Sequence, residues 1–282
     1  MRRALLRVLL SVMLVIPMAV CHADTIQMYG ITVDSQETHL DLGDTKISNL
    51  NKLMEYLDLL PNVTQVDMYK SRVSIKQLEM LMQRYPAIRF GITFGLVNKS
   101  ISTAQTAYST LNHLDSPRYK STKFEPLKYC PTLQALDLGH NYIDDLTFLT
   151  PLKEMKVLIL ADNRIKDLSV LSQLTKLEYL ELFMNDFTDL SPLSSLTNLK
   201  DLNLCRNKIT DITPLLTLTN LERLWISKNF LTEEQVALLE QSLPDCQINY
   251  AWGDCTGDGW RSHIRYKSIA AMFKTGIYTP FE

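Results

Sequence analysis

Residues Leu199 to Asn220 read LKDLNLCRNKITDITPLLTLTN, and the pattern recurs every 22 residues on either side. Stepping by that period from Leu136 gives Leu158, Leu180, Leu202 and Leu224; from Leu138 it gives Leu160, Leu182, Leu204 and Ile226. Asparagine recurs in register at positions 141, 163, 185, 207 and 229, followed by Asp145, Asp167, Asp189 and Asp211, with Glu233 in the fifth place. The chain has 47 leucines among 282 residues; 26 of them lie between Leu133 and Leu231, and only Leu216 of those falls outside the repeating apolar columns. A fixed period in this range is the mark of a stacked-repeat architecture.

Each column has a physical role. In a step such as Leu202-Asn203-Leu204 the two leucines point one way from a short strand and the residue between points the other. One strand cannot bury its leucines alone, but stacked coils form a parallel sheet over a continuous core. The Asn amide both donates and accepts, so it can satisfy backbone groups where the coil leaves the sheet. Thr147, Ser169, Ser191 and Thr213 stand in a helix N-cap column, with Pro192 and Pro214 at the first helical position. The other side of each coil is therefore a short helical turn, of 3₁₀ type.

Together the columns spell L-x-x-L-x-L-x-x-N-x-I/L, which resembles the leucine-rich-repeat superfamily. The 22-residue length and the D-L/I-S/T-P-L half look like the bacterial internalin type. The resemblance implies an α/β fold: a right-handed leucine-rich-repeat solenoid, or horseshoe, with a parallel concave sheet and short helices or 3₁₀ turns on the convex side. It also implies adhesion or recognition of a host surface.

The amino-terminal half repeats the architecture with longer helices. Val66-Asp67-Met68 leads through Ser74-Ile75-Lys76-Gln77, a capping box, to Pro86 and Ile88-Arg89-Phe90. Leu224-Trp225-Ile226, Thr232-Glu233-Glu234-Gln235, Pro244 and Cys246-Gln247-Ile248 match these landmarks at an offset of 158. Strand-to-strand spacing again reads as 22, which puts Cys246 in the core column after Leu224, as Cys130 lies 22 before Leu152. Between Phe90 and Leu133 the register weakens, with Tyr119 in the Asn column, and reads as a degenerate coil with an insertion. The expected organisation is a signal peptide at 1–23, an amino-terminal cap and irregular helix-containing repeats at 24–132, regular repeats at 133–250 and a cap at 251–282. The cap carries an apolar helical face at Tyr266, Ile269, Ala270 and Phe273. Internalins typically continue into an immunoglobulin-like domain at that point, so the tail departs from their pattern.

Composition narrows the function. At 46% hydrophobic and 21% charged the chain is not intrinsically disordered. A net charge of −2 argues against a broad nucleic-acid surface. Arg2, Arg3 and Arg7 precede an apolar run from Val8 to Val20 and the small-residue site Cys21-His22-Ala23, the order of a secretory signal. Thirteen helical residues would rise only about 20 Å, short of a roughly 30 Å hydrocarbon core. Cleavage after Ala23 and export to the envelope space or the exterior are expected, with no integral membrane segment afterwards. Removing residues 1–23 takes away three arginines, leaving 26 basic and 31 acidic side chains, a charge of −5.

Catalytic and metal motifs are weak. No G-x-S-x-G, H-E-x-x-H, P-loop or C-x-x-C occurs, so no enzyme activity or cofactor is expected. Asp254 to Gly259 opens like a calcium loop, but Arg265 stands where a bidentate Glu is needed, so a polar turn is the reading. Cys255 could pair with Cys246 in an oxidising compartment, although a core position for Cys246 speaks against it. The concave face is the informative surface. Ile159, Tyr179, Glu181, Phe183, Asp201, Arg223 and Trp225 point there, and no repeat core requires the apolar ones. Their aromatic and charged composition is that of a protein-binding patch, with sugar stacking on Tyr179, Phe183 and Trp225 as the alternative. A third possibility is that the insertion near 92–125 or the tail folds over them.

Overall fold

The computed structural model describes residues 25–281 except positions 72, 252, 254 and 258. The expected signal peptide and its cleavage site lie outside them. A hairpin, β1 (Thr25–Met28) and β2 (Ile31–Asp34), opens the fold. Then β3 (His39–Asp41), α1 (Leu50–Asp58), β4 (Gln65–Asp67), α2 (Ile75–Arg84) and β5 (Arg89–Gly91) form a three-stranded parallel sheet with helical crossovers. A second hairpin, β6 (Thr93–Leu96) and β7 (Lys99–Ser102), follows. Beyond it a seven-stranded parallel sheet runs in chain order: β8 (Ala107–Ser109), β9 (Ala135–Asp137), β10 (Val157–Ile159), β11 (Tyr179–Glu181), β12 (Asp201–Asn203), β13 (Arg223–Trp225) and β14 (Gln247–Asn249). Helix α3 (Glu233–Ser242) precedes β14, and α4 (Ile264–Thr275) follows it.

The solenoid and its period are as the sequence predicts. Leu136, Leu158, Leu180, Leu202 and Leu224 align across five adjacent strands, and all are fully buried. The asparagine column is a ladder. Asn163 donates to the carbonyls of Leu138 (3.0 Å) and Leu160 (3.1 Å) and accepts the Ile143 N–H at 2.9 Å, tying one coil to the next. Asn185 and Asn207 repeat the pattern with Leu160, Leu182 and Leu204. The residue before each Asn (His140, Asp162, Met184, Arg206, Lys228) is left-handed at φ 53–59°, which swings the chain out of the sheet.

Four details differ from expectation. The Ser/Thr column does not cap the 3₁₀ turns. Those turns begin at Thr147, Ser169, Ser191 and Thr213, whose N–H groups are accepted by Asp145, Asp167, Asp189 and Asp211 at 2.8–2.9 Å. A carboxylate two residues upstream reaches the first helical N–H more readily than a hydroxyl on the helix itself. Where a full helix replaces the turn, the strand spacing is longer than 22: it is 24 across α2 and α3, where Val66 aligns with Phe90 and Leu224 with Ile248, and 26 across α1, where Leu40 aligns with Val66. Cys246 is consequently only partly buried beside the core, whereas Cys130 is fully buried. The 158-residue correspondence survives, and both capping boxes form. The sheet is also not continuous: the β6–β7 hairpin separates β5 from β8, burying Phe94, Leu96 and Ile101 in the core where a regular coil would sit.

The fourth difference bears on function. The tail does not cap the last coil: Gln247 on β14 is exposed and Ile248 and Asn249 are half-buried. Helix α4 instead packs on β8 and β9, the far end of the seven-stranded sheet. The tail therefore crosses the concave face from end to end.

Candidate functional site: the covered concave face

All seven residues expected to form an open partner-binding surface lie on that face, and all are buried. Tyr179, Glu181 and Asp201 are fully inaccessible, and Ile159, Phe183, Arg223 and Trp225 retain at most 5% exposure. Ile159, Tyr179, Phe183 and Trp225 join Trp260, Ile269, Met272, Phe273 and Phe281 of the tail in a second hydrophobic core, separate from the leucine core on the other side of the sheet. The open aromatic patch read from the sequence is thus filled by the chain itself. A sugar-stacking role has no exposed ring on Tyr179, Phe183 or Trp225 to work with.

The geometry follows from strand register. Tyr179, Asp201 and Arg223 are neighbours on β11, β12 and β13, as are Glu181, Asn203 and Trp225. Arg223 Nε donates to Asp201 Oδ1 across adjacent strands at 2.7 Å, and Tyr179 O–H donates to Glu181. Trp260 enters between the aromatics, its ring centroid 5.1 Å from Trp225 and 5.5 Å from Tyr179. Its indole N–H donates to Glu181 Oε1 at 2.8 Å, and the Arg223 guanidinium stacks 4.6 Å above the ring.

Electrostatics match across the seam. The solenoid contributes Glu181, Asp201, Glu222 and Arg223, a sum of −2, and the tail contributes Arg261 and Arg265, a sum of +2. Arg261 Nη2 donates to Glu181 Oε2 at 3.2 Å. Arg265 Nη1 donates to Asp201 Oδ1 at 3.1 Å, and its Nη2 to Glu222. Burying a carboxylate without such a partner would cost several kcal/mol. Burial alone would lower the pKa of Arg261 and Arg265, but their carboxylate partners raise both, so each stays charged. Burial and the adjacent Glu181 push the Tyr179 hydroxyl well up, so it remains a donor.

The seam is not fully satisfied. Among the described residues Asp201 Oδ2, Arg223 Nη2 and Trp225 Nε1 find no hydrogen-bond partner. Each such buried group costs about 1–3 kcal/mol. Beyond the aromatic slot, α4 is fixed by the Gly276 carbonyl, which accepts the Ala107 N–H at 3.1 Å, and by the Tyr278 N–H, which donates to Thr106 Oγ1 at 2.8 Å. Gly276 ends the helix at φ 73°, and a Cβ there would sit 2.8 Å from Gln105 Nε2.

The insertion runs elsewhere. Asn112 Nδ2 reaches Asn141 Oδ1 at 3.1 Å, and Arg118 forms a two-pronged pair with Asp162, so this segment follows the asparagine edge of the coils. His140 is held by the same Asp162 at 2.8 Å, completing a turn-ordering cluster. Tyr119, in the Asn column, donates its backbone N–H to Asn141 Oδ1, and its carbonyl accepts the Tyr142 N–H at 2.9 Å. A cavity of about 190 Å³ remains where Leu111, Asp137, His140, Arg261 and Tyr266 meet. Among the described residues no group of three or more His, Cys, Asp or Glu side chains could hold a metal ion, and no helix is long and apolar enough to cross a membrane.

Comparison with known proteins agrees with the repeat. The family profile described as Leucine Rich repeats (2 copies) matches residues 153–195, 178–217 and 197–238. Among solved structures the chain is similar to the internalin InlF of Listeria monocytogenes, at 22% identity and TM-score 0.48, covering 78% of this chain and 57% of that one. Internalin C2 of the same organism gives 23% and 0.44, covering 78% and 85%. A leucine-rich-repeat protein of Leptospira interrogans gives 21% and 0.45, covering 75% and 54%. The match thus spans a little over half the length of two of the three. No curated protein matches the chain by sequence.

Proposed function

We propose that this chain, a leucine-rich-repeat protein similar to the internalins, is an exported, non-catalytic binding protein that recognises polypeptide through its concave face. Solenoids of this class generally use extended concave surfaces for macromolecular recognition. The observation that carries the reading is how this face is filled. It accepts a polypeptide segment presenting one tryptophan and two arginines, Trp260, Arg261 and Arg265, into an aromatic slot flanked by Glu181, Asp201 and Glu222. The tail is an internal ligand. A partner segment of the same chemistry, aromatic with paired cations, competes for the same seven residues, and the unsatisfied Asp201, Arg223 and Trp225 atoms leave it bonds to gain.

The test is binding of a fluorescently labelled peptide of residues 255–281 to the full-length protein. Wild type should bind it poorly, because its own tail holds the site. A Trp260→Ala/Arg261→Ala protein, with its tail loosened, should bind it tightly, and Glu181→Gln added to that background should weaken binding again. A folded double variant that binds no peptide, or binds it equally well with Glu181→Gln, sinks the reading.

A further inference from the structure

Four cysteines lie among the described residues, and two of them meet across the seam. Cys205 follows β12 on the concave face and is fully buried; Cys255 belongs to the tail loop that leads into Trp260 and is 5% exposed. A hydrogen bond joins the two thiols, and with burial it pushes the Cys205 pKa far up. One side chain holds both backbones: Asn203 Nδ2 donates to the Cys255 carbonyl at 2.7 Å, and Asn203 Oδ1 accepts the Cys205 N–H at 3.1 Å. The backbones that carry the two thiols are thus tied together by one buried amide.

The pairing that spacing suggests, Cys246 with Cys255, finds no such support. Cys246 immediately precedes β14, two strands beyond β12, and strands lie about 4.8 Å apart, so Cys205 and Cys246 serve different parts of the sheet. Cys130 is fully buried in the leucine core.

We propose that Cys205 and Cys255 are a disulfide site, and that oxidation there bolts the tail onto the concave face. The oxidant is a small-molecule disulfide such as oxidised glutathione. The Cys255 thiolate attacks one of its sulfurs, forming a mixed disulfide and expelling one glutathione thiolate. Cys205 then attacks Cys255 Sγ and expels the second glutathione, and each leaving thiolate takes up one of the two protons lost from the protein thiols. Two cysteines are oxidised and one disulfide is reduced, with no other electron donor or acceptor. Ser227 Oγ, 3.2 Å from Cys205 Sγ, supplies a hydroxyl to the sulfur during the second step. Cys255, on the tail loop and not wholly inaccessible, is the first nucleophile, which leaves the fully buried Cys205 the resolving role. Under the proposed concave-face reading, which this inference deepens, the reduced protein exchanges its tail for a partner and the oxidised protein does not.

The full chain is equilibrated across reduced-to-oxidised glutathione ratios, quenched with acid, alkylated in denaturant and mapped by peptide mass spectrometry. The expected product is one cross-linked peptide pair containing Cys205 and Cys255, with Cys130 and Cys246 alkylated throughout. Cys246→Ser should leave that product intact, and Cys205→Ser should abolish it. Alkylated Cys205 at every ratio in protein whose circular dichroism is native, or a Cys246–Cys255 cross-link, overturns the proposal. Peptide binding measured in reductant on the Trp260→Ala/Arg261→Ala protein does not depend on this bond, so failure of the disulfide and failure of the recognition reading separate.

Discussion

Trp260 donates its indole N–H to Glu181 Oε1 at 2.8 Å across 79 residues of chain, a buried bond between the tail and the sheet. The ring is fully buried between Tyr179 and Trp225. Trp260→Ala removes that filling and leaves Glu181 with one fewer donor. Loss of a buried Trp costs about 3–5 kcal/mol. Urea unfolding should show that loss, and limited trypsin digestion should cut at Arg261 and Arg265 before the repeats. A tail that stays protected in the variant would contradict this account of what holds it.

The charged half of the seam makes a separate prediction. Asp201 is fully buried and accepts from both Arg223 and Arg265, whose side chains are 5% and 8% exposed. Asp201→Asn takes from buried Arg223 its only carboxylate partner among the described residues, and takes one carboxylate from Arg265, which keeps Glu222; it should destabilise by about 3–5 kcal/mol. Adding Arg265→Met removes one of those cations, so the double variant should recover part of the loss, with a coupling of about 1–3 kcal/mol. Strict additivity in the same urea series would mean the two groups do not share an interaction.

Within the repeats, Asn163→Ala deletes one rung of the ladder. The Leu138 and Leu160 carbonyls keep Asn141 and Asn185 as donors, but the buried Ile143 N–H loses Asn163 Oδ1, its one acceptor among the described residues. One orphaned buried donor costs about 1–3 kcal/mol. The variant should stay folded with a lowered urea midpoint, and amide exchange should accelerate first at Ile143.

The 3₁₀ caps give a smaller, sharper comparison. Asp189 accepts the Ser191 N–H at 2.8 Å and the Ser191 hydroxyl at 2.9 Å on the exposed convex side. Asp189→Ala should cost about 1 kcal/mol and Asp189→Asn only a few tenths, because the amide oxygen still accepts. A Ser191→Ala change costing more than Asp189→Ala would return the capping role to the serine.

How much of this was legible depends on the range of the interaction. Leu180, Asn185 and Asp189 answer to partners one coil away, so their identities repeat with the coil and can be read from spacing. The match of Trp260 to Glu181 has no period, and nothing local marks either residue. Two signals did exist. Ile159, Tyr179, Phe183 and Trp225 were apolar where the leucine core had no use for them, and the tail held Trp260, Ile269, Phe273 and Phe281 without a core of its own. Arg261 and Arg265 were missed although they balance the two surplus carboxylates on the sheet. Charge and apolar area left over on both sides point to an intramolecular partner before an external one.

His263 makes the tail sensitive to pH. It precedes α4, and its Nδ1 accepts the Arg265 N–H at 3.3 Å, a bond that requires the neutral ring. Burial is the main cause that lowers its pKa below 6.5; Arg223 and Arg265 add to the shift, while Asp201 and Glu222 oppose it. A histidine with a depressed folded pKa contributes stability that is complete above pH 6.5. That stability is lost as the pH falls from 6.5 toward the folded value, because the unfolded chain binds the proton first. The Arg118-paired Asp162 titrates below 3.8, outside that window. Tail protection from trypsin should therefore weaken between about pH 7 and pH 5 in wild type. His263→Asn, whose side chain can cap the helix without titrating, should remove the change in that interval. If the variant and the wild type lose protection in parallel, His263 does not control how firmly the tail is held.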